Sequence, residues 1–476
     1  MAIWRDLGLT EQSIGGFGGL YESLSPADRP LGALSQVSNL VISPRNVLTT
    51  RPGLAAVGAQ IGTSALNGVF PYYDTVNGTS QLLAMFGTDL RQYNEGTSAW
   101  GSSIATLNDA QATSVNINDL LLIFERNTPR SWNGTALSNL GGSPPAGNLT
   151  TVAYEQVFVA GVAATPGDVY FCDDALPTMW AAASDNNAGS ITVTAREGDY
   201  ITWIDFDKVM GKVLVWTRYA LLILNGPDTP NRPSLWNVRY VAPYGTPQGR
   251  TVRNIGGVWV WLTDKGFAKW SGGNVQVDYD PIKTTFDTID WSTIANSCAW
   301  VDDVGRYWCS VPVTGSAYKW FCWDKDYGWF VGTGASIRAS GSYRFSGEET
   351  ALVGTSDGYL RKFQGTTDAG TAITWSATIG PSFLGDTSHK KELSEVYAIL
   401  SLASGATCSA DVSTAETGSY GTGKTASAGT TISQMRLPLP FAAAEARRSG
   451  LFRVRLSGTG VVNLYDVTLR YRQAGR

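Results

Sequence analysis

A single histidine, His389, in 476 residues all but removes the zinc sites and Ser-His-Asp triads that depend on imidazole. Five cysteines (Cys172, Cys298, Cys309, Cys322 and Cys408) form no C-x-x-C pair and are odd in number. They read as thiols of a reducing compartment and not as a disulfide framework. Cys298 and Cys309 are the two placed to face each other across a hairpin turning near Asp303. Charge is scarce, at 16% of residues with a formal balance of −4, which suits a nucleic-acid-gripping chain poorly. No apolar run approaches the ~18 residues of a membrane span. The opening MAIWRDLGLTEQ lacks the basic and apolar segments of an export signal. Neither export nor a membrane span is therefore expected, and the Asn-Gly-Thr triplets at 77–79 and 133–135 are expected to be turns.

What the chain has in quantity is glycine (53) and tryptophan (17), a mixture suited to short strands joined by tight turns. One pattern recurs: an apolar strand, a polar turn, a second strand ending in an aromatic residue or leucine, then Gly or Asn-Gly. It appears as QLLAMFGTDLRQYNEG (81–96), DLLLIFERNTPRSWNG (119–134), KVLVWTRYALLILNG (212–226), GVWVWLTDKGFAKWSGG (257–273) and TALVGTSDGYLRKFQG (350–365). Looser copies span 155–174 and 306–328. The seven units end near Tyr93, Trp132, Cys172, Leu224, Trp270, Trp323 and Phe363, at spacings of 39, 40, 52, 46, 53 and 40 residues. A hairpin repeated at this period predicts a β-propeller of about seven blades over residues 60–369. Blades of ~40–50 residues bury their apolar faces against each other. Two consecutive sandwiches are the alternative. Residues 1–59 read as an N-terminal arm, whose runs within 35–58 are placed to add a closing strand to the last blade.

After residue 370 the repeat stops. Separated strands end in GLFRVRLSG and VVNLYDVTLRYR, where Phe452, Val454 and Leu456 alternate with Arg453 and Arg455. Tyr465, Val467, Leu469 and Tyr471 alternate with Asp466, Thr468, Arg470 and Arg472. One apolar and one basic face predict an antiparallel β-sandwich over 370–476. The whole chain is thus expected to be all-β.

Several short motifs fail their context. GSYGTGKT (418–425) fits the phosphate-cradling pattern through Gly418, Gly423, Lys424 and Thr425. The following ASAGTTISQM is no helix former, and a P-loop must open a helix. GTSDG (354–358) fits a nucleophile elbow, but a strand follows it, so Asp357-Gly358 reads as a hairpin turn. Asp324, Asp326 and Gly328 resemble half a calcium loop without the downstream acid. Asp205 and Asp207, in WIDFDKV, are candidates for a carboxylate pair, and glycoside chemistry needs two that converge across a cleft. No catalytic, cofactor-binding or metal-binding residue is assigned.

The segment VSNLVISPRNVLTTRPGLAAVG (37–58) resembles the opening of tail nozzle (tail hub) proteins of short-tailed bacteriophages, with Asn39, Arg51, Pro52 and Gly53 in the matching places. WDKDYGWFVGT (323–333) resembles a late-blade segment of that family, and residues 447–472 resemble its closing strands. The resemblance spans most of the chain in order, without the long tip insertions of larger members. It implies a non-enzymatic virion protein that forms a homo-oligomeric ring, usually hexameric, below the portal and the head-to-tail adaptor. Such a ring is assembled in the host cytoplasm, continues the DNA ejection channel, and supports a tail fibre, tailspike or plug protein. Two rival expectations are a carbohydrate-active propeller enzyme and a glycan-binding propeller adhesin.

Charge divides unevenly. Residues 370–476 hold 11 basic and 7 acidic side chains, leaving 25 and 33 for the rest. An acidic N-terminal part and a basic C-terminal part suit subunit contacts better than DNA binding, which needs a continuous basic stripe. Duplex DNA is expected to pass through without specific binding. Arg453, Arg455, Arg470 and Arg472 are the candidate subunit or adaptor interface, with a solvated strand face as the alternative.

Overall fold

The computed structural model describes residues 9–473 apart from 26–27, 31, 109–110, 184, 195, 227–235, 383–389, 414–423, 427–430, 438–447 and 450. Among the described residues helix is confined to Lys283–Phe286 and the 3-10 turns Gly249–Thr251, Asp280–Ile282 and Trp291–Asn296. The described residues are otherwise strand, turn and irregular loop.

Seven antiparallel sheets follow one another along the sequence. Six are four-stranded units of consecutive strands at 66–106, 113–139, 149–192, 201–242, 253–278 and 298–333. The seventh, at 337–363, supplies three strands of its own. Its fourth is Leu54–Ala56, which pairs antiparallel with Leu360–Phe363, and the short strands Thr367–Asp368 and Thr371–Ala372 extend it to six. The hairpin repeated in the sequence is the second and third strand of each sheet. Tyr93, Trp132, Leu224, Trp270, Trp323 and Phe363 lie in third strands, and Cys172 directly follows one.

These strands form where β-branched and aromatic residues run between turn residues. The turns Asn118-Asp119 and Gly256-Gly257 hold both central residues at positive φ, as two-residue hairpins require. Tyr154-Glu155 does the same at φ 52° and 64°, without glycine or asparagine. The Tyr154 ring packs edge-on against Phe206 and Trp236, a tertiary anchorage that offsets the backbone cost.

Both faces of the second strands are buried. In Val258–Thr263 every residue after Val258 is at most 2% exposed. The reason is face-to-face stacking of neighbours. Phe70 and Leu83 of the first sheet share a cluster with Leu121 and Ile123 of the second. Trp216 of the fourth packs with Trp259 and Trp261 of the fifth. Leu352 of the seventh joins Leu82 of the first. Each such side chain contributes roughly 1.5–3 kcal/mol by burial. The indoles also stitch sheets together: Trp259 Nε1 donates to Asp207 at 2.7 Å and Trp329 Nε1 to Asp278 at 2.7 Å. First strands touch in series from Leu66–Asp74 to Ile201–Asp207, the turn Gly249–Thr251 bridges Ile201–Asp207 to Cys298–Val301, and Ile337–Phe345 contacts both Cys298–Val301 and Leu66–Asp74.

Two further antiparallel sheets are built from both ends of the chain. One joins Leu40–Ile42, Leu48–Thr50, Val462–Gln473, Lys391–Leu402 and Ser433–Leu437, with Thr10–Ser13 and Arg448–Ser449 on its flanks. The other runs Leu34–Ser38, Thr374–Ser382, Phe452–Thr459, Thr407–Ser413 and Lys424–Ala426. Their apolar sides share one core, which includes Val37, Leu48, Trp375, Val396, Val454 and Leu464. Within the expected closing run, then, only Leu54–Ala56 joins the seventh sheet. Leu34–Ser38 and Leu48–Thr50 pair with strands beyond residue 370, and Leu40–Ile42 pairs with Leu48–Thr50.

Candidate functional site

The four residues of the N-terminal motif meet at one buried joint. Asn39 takes φ 58° between two strands, a conformation its short polar side chain tolerates. That side chain accepts from Arg51 Nε and from the Thr333 N–H, each at 2.9 Å, and donates to the Thr374 carbonyl at 2.8 Å. Arg51 is 1% exposed. Its guanidinium forks onto Asp368 at 2.6 and 3.0 Å and donates to the carbonyls of Pro52 and Thr333. All five of its N–H donors are thereby used. Its plane lies 4.4 Å over the Trp320 ring. Gly53 completes the joint: a Cβ there would fall 2.2 Å from the Thr367 carbonyl oxygen. Thr333 ends the sixth sheet and Thr374 opens a C-terminal strand, so the motif ties the seven-sheet array to the C-terminal pair.

A second feature is a central cavity of about 400 Å³ walled by residues of the first strands, or the turns leading into them, of six sheets. Trp203 and Asp205 come from the fourth sheet, Arg250 and Arg253 from the segment entering the fifth, and Ser340 and Ser342 from the seventh. Asp205 has its carboxyl pushed above the ordinary range by burial, against a smaller lowering from the Phe206 N–H. Asp207, expected beside it, caps its own turn by accepting from the Val209 and Met210 N–H groups. The two carboxylates do not converge, and Asp205 is the one carboxylate among the described lining residues.

The other motifs resolve into turns. Asp324 accepts from the N–H groups of Asp326 and Tyr327, with Gly328 at φ 82°. Asp357-Gly358 turns a hairpin into Leu360–Phe363, with Gly358 at φ 79°. Lys424 and Thr425 lie in a strand paired with Thr407–Ser413, where a P-loop would open a helix. Gly418, Gly423 and His389 lie outside the described residues. All five cysteines are free and buried, and Cys298 sits opposite Ser310, one place out of register with Cys309. Among the described residues no group of three or more His, Cys, Asp or Glu side chains is placed to hold a metal ion. No described helix is long and apolar enough to cross a membrane.

The four arginines do not make one basic face. Arg453 and Arg455 belong to one C-terminal sheet, and Arg470 and Arg472 to the other. Three meet carboxylates on adjacent strands. Arg455 pairs with Asp411 at 2.5 Å, Arg472 with Glu392 at 2.9 Å, and Arg470 with Glu395 at 3.3 Å and with Glu11. A bulge at Tyr465 shifts the register and puts Leu464, not Tyr465, on the buried side.

Sequence reading missed Asp368, whose role depends on Arg51 being buried, and missed Arg250 and Arg253. The last two carried one local signal, two cations close together in a chain of low charge.

No protein-family model matches the chain, and no curated protein matches it. Among solved structures, the extracellular domain of a putative hybrid two-component system from B. thetaiotaomicron is similar at a TM-score of 0.45 and 10% identity, over 65% of this chain and 39% of that one. The extracellular domain of a putative one-component system from the same organism gives 0.41 and 11%, over 65% and 39%. The computationally designed Ika8 protein gives 0.37 and 11%, over 65% of this chain and all of that one. The chain therefore spans well under half the length of the two bacterial domains.

Proposed function

We propose that the chain is a structural ring subunit of a short-tailed bacteriophage tail, a nozzle or hub protein built as a seven-bladed β-propeller with a C-terminal β-sandwich. The observation that carries the reading is the buried joint. The residues that resemble the family, Asn39, Arg51, Pro52 and Gly53, converge on a place where array and C-terminal sheets are locked together. A part that transmits load between neighbours needs such a rigid joint. The propeller is supported by the return of the seventh first strand to the first and by closure of the seventh sheet with an N-terminal strand. In this role the ring, a hexamer by the resemblance, continues the DNA channel below portal and adaptor and carries fibres, a spike or a plug. A non-enzymatic role is supported by the separation of Asp205 from Asp207.

Negative-stain electron microscopy of the purified protein, alone and with its parent particle, tests this. Closed rings, and antibody label at the tail end of the particle, are expected. A monodisperse monomer whose antibody leaves every particle bare would remove the reading.

One observation favours a second reading, a glycan-binding adhesin. Tyr219 and Tyr240, 42% and 57% exposed, line a groove of about 480 Å³ between the third and fourth sheets. Arg196 stacks 4.4 Å over Tyr219. Exposed rings beside hydrogen-bonding groups suit sugar faces. A glycan microarray signal lost in the double variant Tyr219→Ala, Tyr240→Ala would support it, and a blank array would dismiss it.

A further inference from the structure

The ring-subunit role leaves the central cavity unused. We propose that this cavity binds a small hydroxylated organic anion, of the size and chemistry of a uronic acid. Its volume of about 400 Å³ falls within the ~300–1,000 Å³ typical of small-molecule sites.

The argument starts from unmatched charge. Three other arginines at most 7% exposed each pair with an aspartate: Arg51 with Asp368, Arg306 with Asp302, and Arg361 with Asp357. Arg253, partly buried on the cavity wall, has no ion-pair partner among the described residues, although Asp205 lines the same space. Its guanidinium donates to the Val252 carbonyl at 2.5 Å and to Ser340 Oγ at 2.6 Å. Those bonds use two of its five donors and hold the fork still. Arg250 is anchored on the same opposing strand, donating to the Arg338 carbonyl at 2.7 Å. Two cations are thus fixed across the cavity by a strand nearly ninety positions away in sequence. Such preorganised forks fit a carboxylate or phosphate in two-point contact.

The remaining wall suits a polyol. Asp205 accepts from the Phe206 N–H at 2.8 Å and weakly from the Trp203 indole at 3.4 Å, which leaves acceptor capacity for a ligand hydroxyl. Ser114 supplies a hydroxyl from the first strand of the second sheet, Ser342, whose hydroxyl donates to Glu349 at 2.7 Å, supplies an acceptor from that of the seventh, and Trp203 supplies an aromatic face. Arg253, with no ion-pair partner among the described residues, leaves a positive group on this wall, so the ligand carries negative charge. The bland account makes Arg250 and Arg253 braces between the fifth and seventh sheets and nothing more.

Calorimetric titration of the purified full chain separates these accounts without reference to ring assembly. The probes are D-glucuronate, glucose 6-phosphate, D-glucose and inorganic sulfate. Saturable binding of D-glucuronate or glucose 6-phosphate is expected, the preferred one identifying carboxylate or phosphate as the anchor, with D-glucose and sulfate weaker. Arg253→Gln should weaken binding about tenfold or more, as the loss of a charged hydrogen-bonding fork does. Ser342→Leu, which fills the cavity without touching either arginine anchor, should abolish it. The second variant keeps the test open where Arg253→Gln fails to fold. The proposal is overturned by silence of both anions up to ~10 mM, by sulfate binding equally well, or by Ser342→Leu leaving binding intact.

Discussion

The seven-sheet array and the C-terminal pair of sheets are both antiparallel, yet they bury their strands differently. In the array, Gln156–Ala160 and Tyr307–Val313 are buried at every position, because each sheet is covered on both faces by its neighbours. In the C-terminal pair, Phe452–Thr459 alternates between buried apolar residues and half-exposed polar ones, because only one face of the sheet meets the shared core. The outer face then has to manage charge, and it does so with cross-strand pairs such as Arg455–Asp411 and Arg472–Glu392. An alternating pattern in the sequence therefore marks a sheet with one covered face, and a solid apolar run marks stacking on both.

The sharpest break in that comparison is Val260→Asp. Val260 is fully buried in the array, so an unpaired carboxylate there should cost ~4 kcal/mol or more, or prevent folding. Urea denaturation followed by tryptophan fluorescence measures it, and near-wild-type stability would mean that the strand is not covered on that side. Arg51→Met strikes the joint instead. It strands Asp368, takes one of two donors from the Asn39 side-chain carbonyl, and should cost ~3 kcal/mol, toward the lower end for a broken buried pair because Asp368 is partly open to water. Calorimetry should then resolve separate unfolding of the two regions; a single unshifted transition would show that the joint does not couple them.

Thiol chemistry compares how tightly the two regions are closed. Burial pushes the Cys172 thiol up to about 11 in the array and the Cys408 thiol up to about 12 in the C-terminal pair. At pH 8 both stay protonated and unreactive. Native protein should resist iodoacetamide at both positions until urea is added, and fast labelling at Cys408 alone would show the C-terminal pair opening by itself. A loss of ~2 kcal/mol is expected for Arg455→Ala by the same denaturation assay, because it leaves the buried Asp411 carboxylate without its partner. Lys424→Ala should be smallest, within ~0.5 kcal/mol of wild type, with no ATP binding before or after the change. Nucleotide binding lost in that variant would restore the phosphate-loop reading.

Within the joint, legibility stopped at the short range. Asn39, Arg51, Pro52 and Gly53 stand close together and are visible as a motif. Asp368 is 317 positions from Arg51, and no spacing rule connects them. The central cavity was hidden for the same reason: each first strand contributes one or two ordinary-looking polar residues, and only their convergence makes a site. The arginines at 453–472 misled in the other direction. They are neighbours in sequence on consecutive strands, and those strands part into different sheets.

What the sequence by itself determined is the repeated unit. Strand, turn, strand and glycine are local choices, set by side-chain branching and by which residues accept positive φ. Their count of seven and their ends at Tyr93 through Phe363 therefore match the third strands of the seven sheets. Only the tertiary structure decided where residues 34–56 go. Leu54–Ala56 completes the seventh sheet, while Leu34–Thr50 supplies strands to sheets made chiefly of residues beyond 370. A short apolar strand carries no record of its partner. The choice falls to whichever open edge and uncovered apolar face the rest of the chain leaves for it.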